Sequence, residues 1–250
     1  MKNPWFHLAQ KGTEPSGLHL FSFPYAGGSI SAFRPLAQHL APEISFHIAA
    51  LPGRGSRFAE KPVKQLPTLV NALSDAIEQT QPAQFAFYGH SMGGILSFEI
   101  ARELRRRGFR SPLALIVSGV TAPELFGKPE EAHRYNLPRE AFIEYLQTLE
   151  GTPQEFFEHP ELMDMMLPIL RADFQICDTY QYTPEAPLEM PIMALFGTDD
   201  HDVGKDGMQA WSKHTCSAFR LSEHEGGHFF VNHQWPLVAR KINDVLCAAG

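Results

Sequence analysis

Short apolar runs alternate with segments of helical period along most of the chain, and this alternation restricts the fold more than any other feature of the sequence. Leu18 to Phe23 reads as a strand that stops at Pro24. After the Gly27-Gly28-Ser29 break, Phe33, Leu36 and Leu40 fall on one helical face. Ile44 to Leu51 repeats the strand, Pro52-Gly53-Arg54-Gly55 the loop, and Leu69, Leu73 and Ile77 the helix. Phe85 to Tyr88 and Leu113 to Val117 are two more buried-type strands, separated by a helix from about Met92 to Arg107. Such alternation predicts an α/β fold whose sheet is mostly parallel and covered by helices on both faces.

Between about Thr121 and Pro187 the rhythm breaks, because helical stretches such as Arg139 to Leu149 and Leu162 to Tyr180 follow one another with no strand between them. The segment 121–187 therefore reads as a helical lid inserted within one domain spanning residues 1–250. Pro191 to Phe196 resumes the alternation. A helix near Met208 to His214, a strand near Ala218 to Leu221 and a last helix from about Pro236 to Leu246 complete it.

Composition removes several function classes. The formal charge of −7 repels phosphate backbones and anionic headgroups, so neither nucleic acid nor a membrane surface is expected as a partner. Cys177, Cys216 and Cys247 are odd in number and lack C-x-x-C spacing, which fits a reducing compartment and no thiolate metal site. The N-terminus lacks the apolar stretch of a signal peptide, and no apolar run reaches the ~18 residues of a membrane span. A cytoplasmic, monomeric protein is expected.

Gly89-His90-Ser91-Met92-Gly93 is a G-x-S-x-G pentapeptide placed after a strand and at the start of a helix. A turn this tight brings Gly89 and Gly93 against neighbouring backbone and thrusts the Ser91 hydroxyl outward. A serine nucleophile needs a base, and the base an orienting carboxylate, so an acid and then a histidine should follow. Gly197-Thr198-Asp199-Asp200 follows the strand Pro191 to Phe196, which makes Asp200 the acid of choice, with Asp199 and Asp202 as alternatives. His228, in Gly226-Gly227-His228-Phe229-Phe230, is the expected general base. The backbone N–H groups of Met92, at the helix start, and of Ala26, in the Gly-rich loop after the first strand, would form an oxyanion pair.

Two other patterns point elsewhere. His224-Glu225-Gly226-Gly227-His228 matches H-E-x-x-H, but two interior glycines cost a helix roughly 2 kcal/mol, so a loop is expected and no metal. Arg102, Arg105, Arg106, Arg107 and Arg110 gather at the far end of the Met92 helix, ~24 Å from the serine, where they favour the helix C-terminus and solubility. Arg34, Arg54, Arg57 and Lys61 lie nearer the active edge and are better placed to meet an anionic substrate.

With these residues in view, the chain resembles the type II thioesterases that accompany nonribosomal peptide and polyketide synthases, a branch of the α/β-hydrolase fold. The resemblance runs end to end. It is carried by Gly89 to Gly94, Phe23-Pro24-Tyr25-Ala26-Gly27-Gly28, Leu51-Pro52-Gly53-Arg54-Gly55-Ser56-Arg57, Leu170-Arg171-Ala172-Asp173-Phe174, and Gly226 to Phe230. The family pattern Gly-x-x-Asp-x-x-Val selects Asp200 with Val203, although His201 stands where a proline often follows the acid. The resemblance implies hydrolysis of acyl or aminoacyl thioesters from the phosphopantetheine arms of carrier proteins, with no cofactor. It further implies a lid whose Phe157, Met163, Met166 and Phe174 would roof the acyl site.

Overall fold

The computed structural model describes residues 3–13, 17–127, 133–149, 151 and 154–249. Seven strands form one sheet: β1 (Phe6–Gln10), β2 (Leu18–Phe23), β3 (Ile44–Ala49), β4 (Gln84–His90), β5 (Leu115–Ser118), β6 (Ile192–Gly197) and β7 (Phe219–His224). Their order is β1-β3-β2-β4-β5-β6-β7. Only β1 runs antiparallel, against β3, and the other five pairings are parallel. The sequence reading lacks β1, because Phe6–Gln10 buries a single residue, Phe6, and so carries neither a continuous apolar run nor a clean alternation.

Strand β4 shows why the sheet needs cover on both faces. Phe85 and Phe87 pack with α2 (Leu66–Thr80) and α3 (Met92–Arg106), whereas Ala86 and Tyr88 pack with the short α1 (Ile30–Phe33) and α8 (Trp235–Ala249). The expected helix on Phe33, Leu36 and Leu40 is instead α1 followed by a 3₁₀ turn over Arg34–Gln38, since Pro35 cannot donate a backbone bond at that point.

Between β5 and β6 lie α4 (Arg139–Gln147), α5 (Gln154–Glu158) and α6 (Pro160–Asp178). They share a core of their own, built from Phe142, Leu146, Met163, Leu167, Leu170 and Phe174. After β6, α7 (Gly204–Gln209) precedes β7. Among the described residues no helix is long and apolar enough to cross a membrane.

The parallel order decides where chemistry can gather. The loops after β2, β4, β6 and β7 all leave the same edge of the sheet, the usual place for a ligand site in open α/β folds.

Within the sheet, where β2 lies beside β3, His47 stacks on Phe21 and shares a 2.8 Å hydrogen bond with His19. Burial, with His19 beside it, pushes the His47 imidazole down to about 4. The folded state therefore binds fewer protons than the unfolded chain between roughly pH 6.5 and 4, and stability falls as pH drops through that window, by up to about 3 kcal/mol. Thermal melting of His47→Gln across pH 7 to 4.5 should show a flatter dependence than the parent; an identical slope would remove His47 as its source.

Candidate active site

Gly89, Ser91 and Gly93 form the turn between β4 and α3. A Cβ on Gly89 would overlap the Gly93 carbonyl, and one on Gly93 would overlap the Phe23 carbonyl of β2, so neither position admits a side chain. Ser91 adopts φ 54° and ψ −124°, outside the regions a serine ordinarily occupies. Its backbone is held in this strained form by Ser91 N–H donating to Ser118 O and by Gly94 N–H donating to Ser91 O, each at 2.8 Å. Gly93→Ala is expected to cost about 3 kcal/mol. That corresponds to roughly 6–12 °C in Tm for a chain of this size, read by calorimetry.

His228 lies beyond β7, and its Nδ1 is 2.8 Å from Asp200 Oδ2. The other oxygen, Oδ1, accepts the N–H groups of Asp202 and Val203 at 3.1 and 3.3 Å. These amides fix the carboxylate plane, so that one oxygen is left for the imidazole. Asp200 is buried, while Asp199 and Asp202 are exposed. Of the three acids weighed from sequence, Asp200 is therefore the one that faces His228. Ser91, Asp200 and His228 border one cavity of about 660 Å³. Among the described residues Ser91 and His228 share no hydrogen bond; what they share is this cavity wall.

Ring side chains surround the His228 imidazole. His90, fully buried, hydrogen-bonds Ser118 Oγ at 2.8 Å and sits 5.2 Å from the His228 ring, centre to centre. Burial, reinforced by His228, holds His90 well below the usual histidine range, so it stays neutral beside its neighbour. Phe229 packs edge-on against His228 at 4.9 Å, and Tyr25 against Phe229 at the same distance.

Ala26 lies on the cavity wall, and Met92 opens α3. Neither backbone N–H has an acceptor among the described residues, and the Met92 N–H belongs to the electropositive end of the helix. A serine hydroxyl, an imidazole held by a carboxylate, and two backbone N–H groups with no acceptor among the described residues are the kinds of group that acyl transfer through a tetrahedral oxyanion uses.

The lid residues divide. Phe174 borders the cavity, with Leu146, Leu149 and Leu170. Met163 is 2% exposed and sits inside the insertion's own core, which departs from the expected acyl contact. Phe157 packs on that core, and Met166 faces a neighbouring groove beside Gly27 and Phe58. A helical stripe shows that a face is buried but not which of two partners buries it. Sequence reasoning also missed Tyr145 and Arg134 on the cavity wall, where Arg134 pairs with Asp178 at 2.6 Å and lies over the Phe174 ring. No local pattern marks either residue.

Three further expectations from the sequence can be placed. Arg54, read as a cation facing substrate, is turned inward onto Asp173. Arg57 lies over the Trp5 ring and pairs with Glu60, whereas Arg34 and Lys61 are exposed. The H-E-x-x-H segment is a strand end and loop: His224 closes β7, stacked on Phe230 at 5.1 Å, while His228 points to Asp200. The arginines at the end of α3 pair with Glu99, Glu103, Glu185 and Asp75, away from Ser91.

Known proteins resemble the chain over nearly its whole length. The thioesterase domain family model matches residues 18–246. The chain is 39% identical over 229 residues to the gramicidin S biosynthesis protein GrsT of Aneurinibacillus migulanus, covering 92% of this chain and 88% of that one. It is 35% identical over 232 residues to the thioesterase PikA5 of Streptomyces venezuelae, covering 92% and 82%. Among solved structures, the type II thioesterase BorB from the borrelidin biosynthetic cluster superposes with a TM-score of 0.86 at 35% identity, covering 97% of each chain. The α/β-hydrolase fold expected from the resemblance is thus present, with its parallel sheet, flanking helices and helical insertion. Matched over nearly its whole length by family, sequence and structure, the chain belongs to the thioesterase family and is a thioester hydrolase.

Proposed function

We propose that the chain releases acyl or aminoacyl groups from the phosphopantetheine arms of carrier proteins in nonribosomal peptide or polyketide synthesis, using Ser91, His228 and Asp200. The observation that carries the catalytic part is the Asp200–His228 hydrogen bond at the rim of the cavity that Ser91 also borders. Relatives such as GrsT of gramicidin S biosynthesis and the type II thioesterase BorB of the borrelidin cluster support the substrate class.

In the proposed reaction His228 Nε2 takes the Ser91 proton as Oγ attacks the thioester carbon. Asp200 keeps Nδ1 protonated and stabilises the imidazolium that forms. The tetrahedral oxyanion lies against the Ala26 and Met92 N–H groups. Collapse breaks the carbon–sulfur bond, and the imidazolium returns its proton to the leaving pantetheine sulfur. Water, activated by the same imidazole, then attacks the acyl-serine, freeing the carboxylic acid and restoring Ser91. Each step moves one proton through His228, so no cofactor is needed.

The segment 121–187 acts as the lid, with the acyl chain lying against Phe174, Leu170 and Tyr145, and the enzyme meets its carrier transiently as a monomer in the cytoplasm. The test is kcat/KM for an acyl group on a loaded carrier protein against the same acyl group as a simple oxygen ester. A clear preference for the carrier thioester is expected. Equal or better turnover of the free ester would make the chain a general esterase.

A further inference from the structure

Ala26, assigned above to the oxyanion, lies in the loop that follows β2. Gly28 N–H donates to Tyr25 O at 2.8 Å, and Gly27 has φ +78°, which together make a type II turn with Ala26 at its second position. What fixes this turn comes from two distant parts of the chain. Gly27 N–H donates to Asp173 Oδ2 at 2.7 Å, and Arg54 Nη1 donates to Gly28 O at 3.1 Å. Arg54 also grips Asp173 with both prongs, Nη1 to Oδ2 at 2.6 Å and Nη2 to Oδ1 at 2.7 Å. Arg54 is 7% exposed and Asp173 1%.

A buried ion pair is a poor way to gain stability, because desolvation offsets most of the attraction and apolar residues of similar volume often hold a fold as well. It does supply direction. The Asp173 carboxylate on Gly27 N–H sets the plane of the Ala26–Gly27 peptide, and with it the turn that aims the Ala26 N–H. Asp173 stands on α6, the helix whose Leu170 and Phe174 border the Ser91 cavity. Leu170 also packs on Gly27, where a Cβ would come within 2.7 Å of its Cδ2. The helix that borders the cavity is therefore the helix that holds the oxyanion loop.

We propose that Arg54 and Asp173 form a positioning pair that orients the Ala26 amide for the oxyanion and ties it to the seating of α6. This rests on the reading of Ser91 and Ala26 given above. The pair touches no reacting atom, so its loss should lower kcat and leave KM little changed.

The test uses the full chain as Arg54→Met/Asp173→Met, which removes both charges together, and as Arg54→Lys, which keeps the charge and loses the fork. Each is normalised to the fraction of sites titrated to completion by a fluorophosphonate. For the double variant kcat toward an acyl thioester should fall roughly 10²-fold, the scale of one lost oxyanion donor, with Tm near the parent value. Arg54→Lys, the fallback if the double variant does not fold, should lose roughly tenfold in kcat. A folded double variant with the parent kcat per titrated site would overturn the proposal, as would parent kcat in Arg54→Lys should the double variant not fold. Failure of the underlying reading is seen separately, as parent enzyme whose Ser91 the fluorophosphonate does not label.

Discussion

Ser91→Ala is expected to lower kcat for thioester hydrolysis by roughly 10⁴–10⁶-fold while leaving KM and Tm close to the parent values. The loss is large because every bond change in the proposed reaction passes through Oγ. Stability should hold because alanine at φ 54° is no more strained than serine, and the two backbone bonds that fix the turn, Ser91 N–H to Ser118 O and Gly94 N–H to Ser91 O, use no side-chain atom. Residual turnover should persist, since the Ala26 and Met92 amides and the cavity would still bind the thioester for attack by water. Chromatographic measurement of the released acid reads this without relying on thiol detection. Loss of less than tenfold would exclude Ser91 as the nucleophile.

Asp200→Asn should cost about 10⁴-fold in kcat, whereas Asp199→Asn should change it little. The asparagine can keep Oδ1 on the Asp202 and Val203 amides, so the loop after β6 retains its shape. What it then presents to His228 Nδ1 is an NH₂ donor in place of an anionic oxygen. The imidazole is forced into the tautomer with its proton on Nε2, which cannot accept a proton from Ser91, and no anion stabilises the imidazolium. Asp199 is exposed, and among the described residues it is Asp200, not Asp199, that bonds His228. Comparable losses in the two variants would move the acid to a shared role or away from Asp200.

The parts of the fold legible in the sequence are those whose reason is local. β4 carries the buried apolar run Phe85 to Tyr88 because it lies between helices on both faces, and Gly89 and Gly93 flank Ser91 because backbone fills the space where a Cβ would be. Helix α6 was legible for the same reason, as a long stripe of apolar residues. Features that depend on distant partners were not. The Arg54–Asp173 pair joins residues 119 apart, and each alone looks like a surface charge. Met163 and Phe174 share one stripe, yet one is buried within the insertion and the other borders the cavity, because a helix buried on two sides carries a single periodicity. Strand β1 escaped because an edge strand paired on one side needs few apolar residues.

The central claim is that the acyl group passes through Ser91, and mass spectrometry of rapidly quenched enzyme tests it most directly. Mixed with an acyl-loaded carrier protein, the parent chain should carry the acyl mass on the peptide containing Ser91 within a single turnover, and Ser91→Ala should carry none. Free acid released at the full rate with no acyl mass on Ser91 at any time, or with the mass on another residue, would contradict the account.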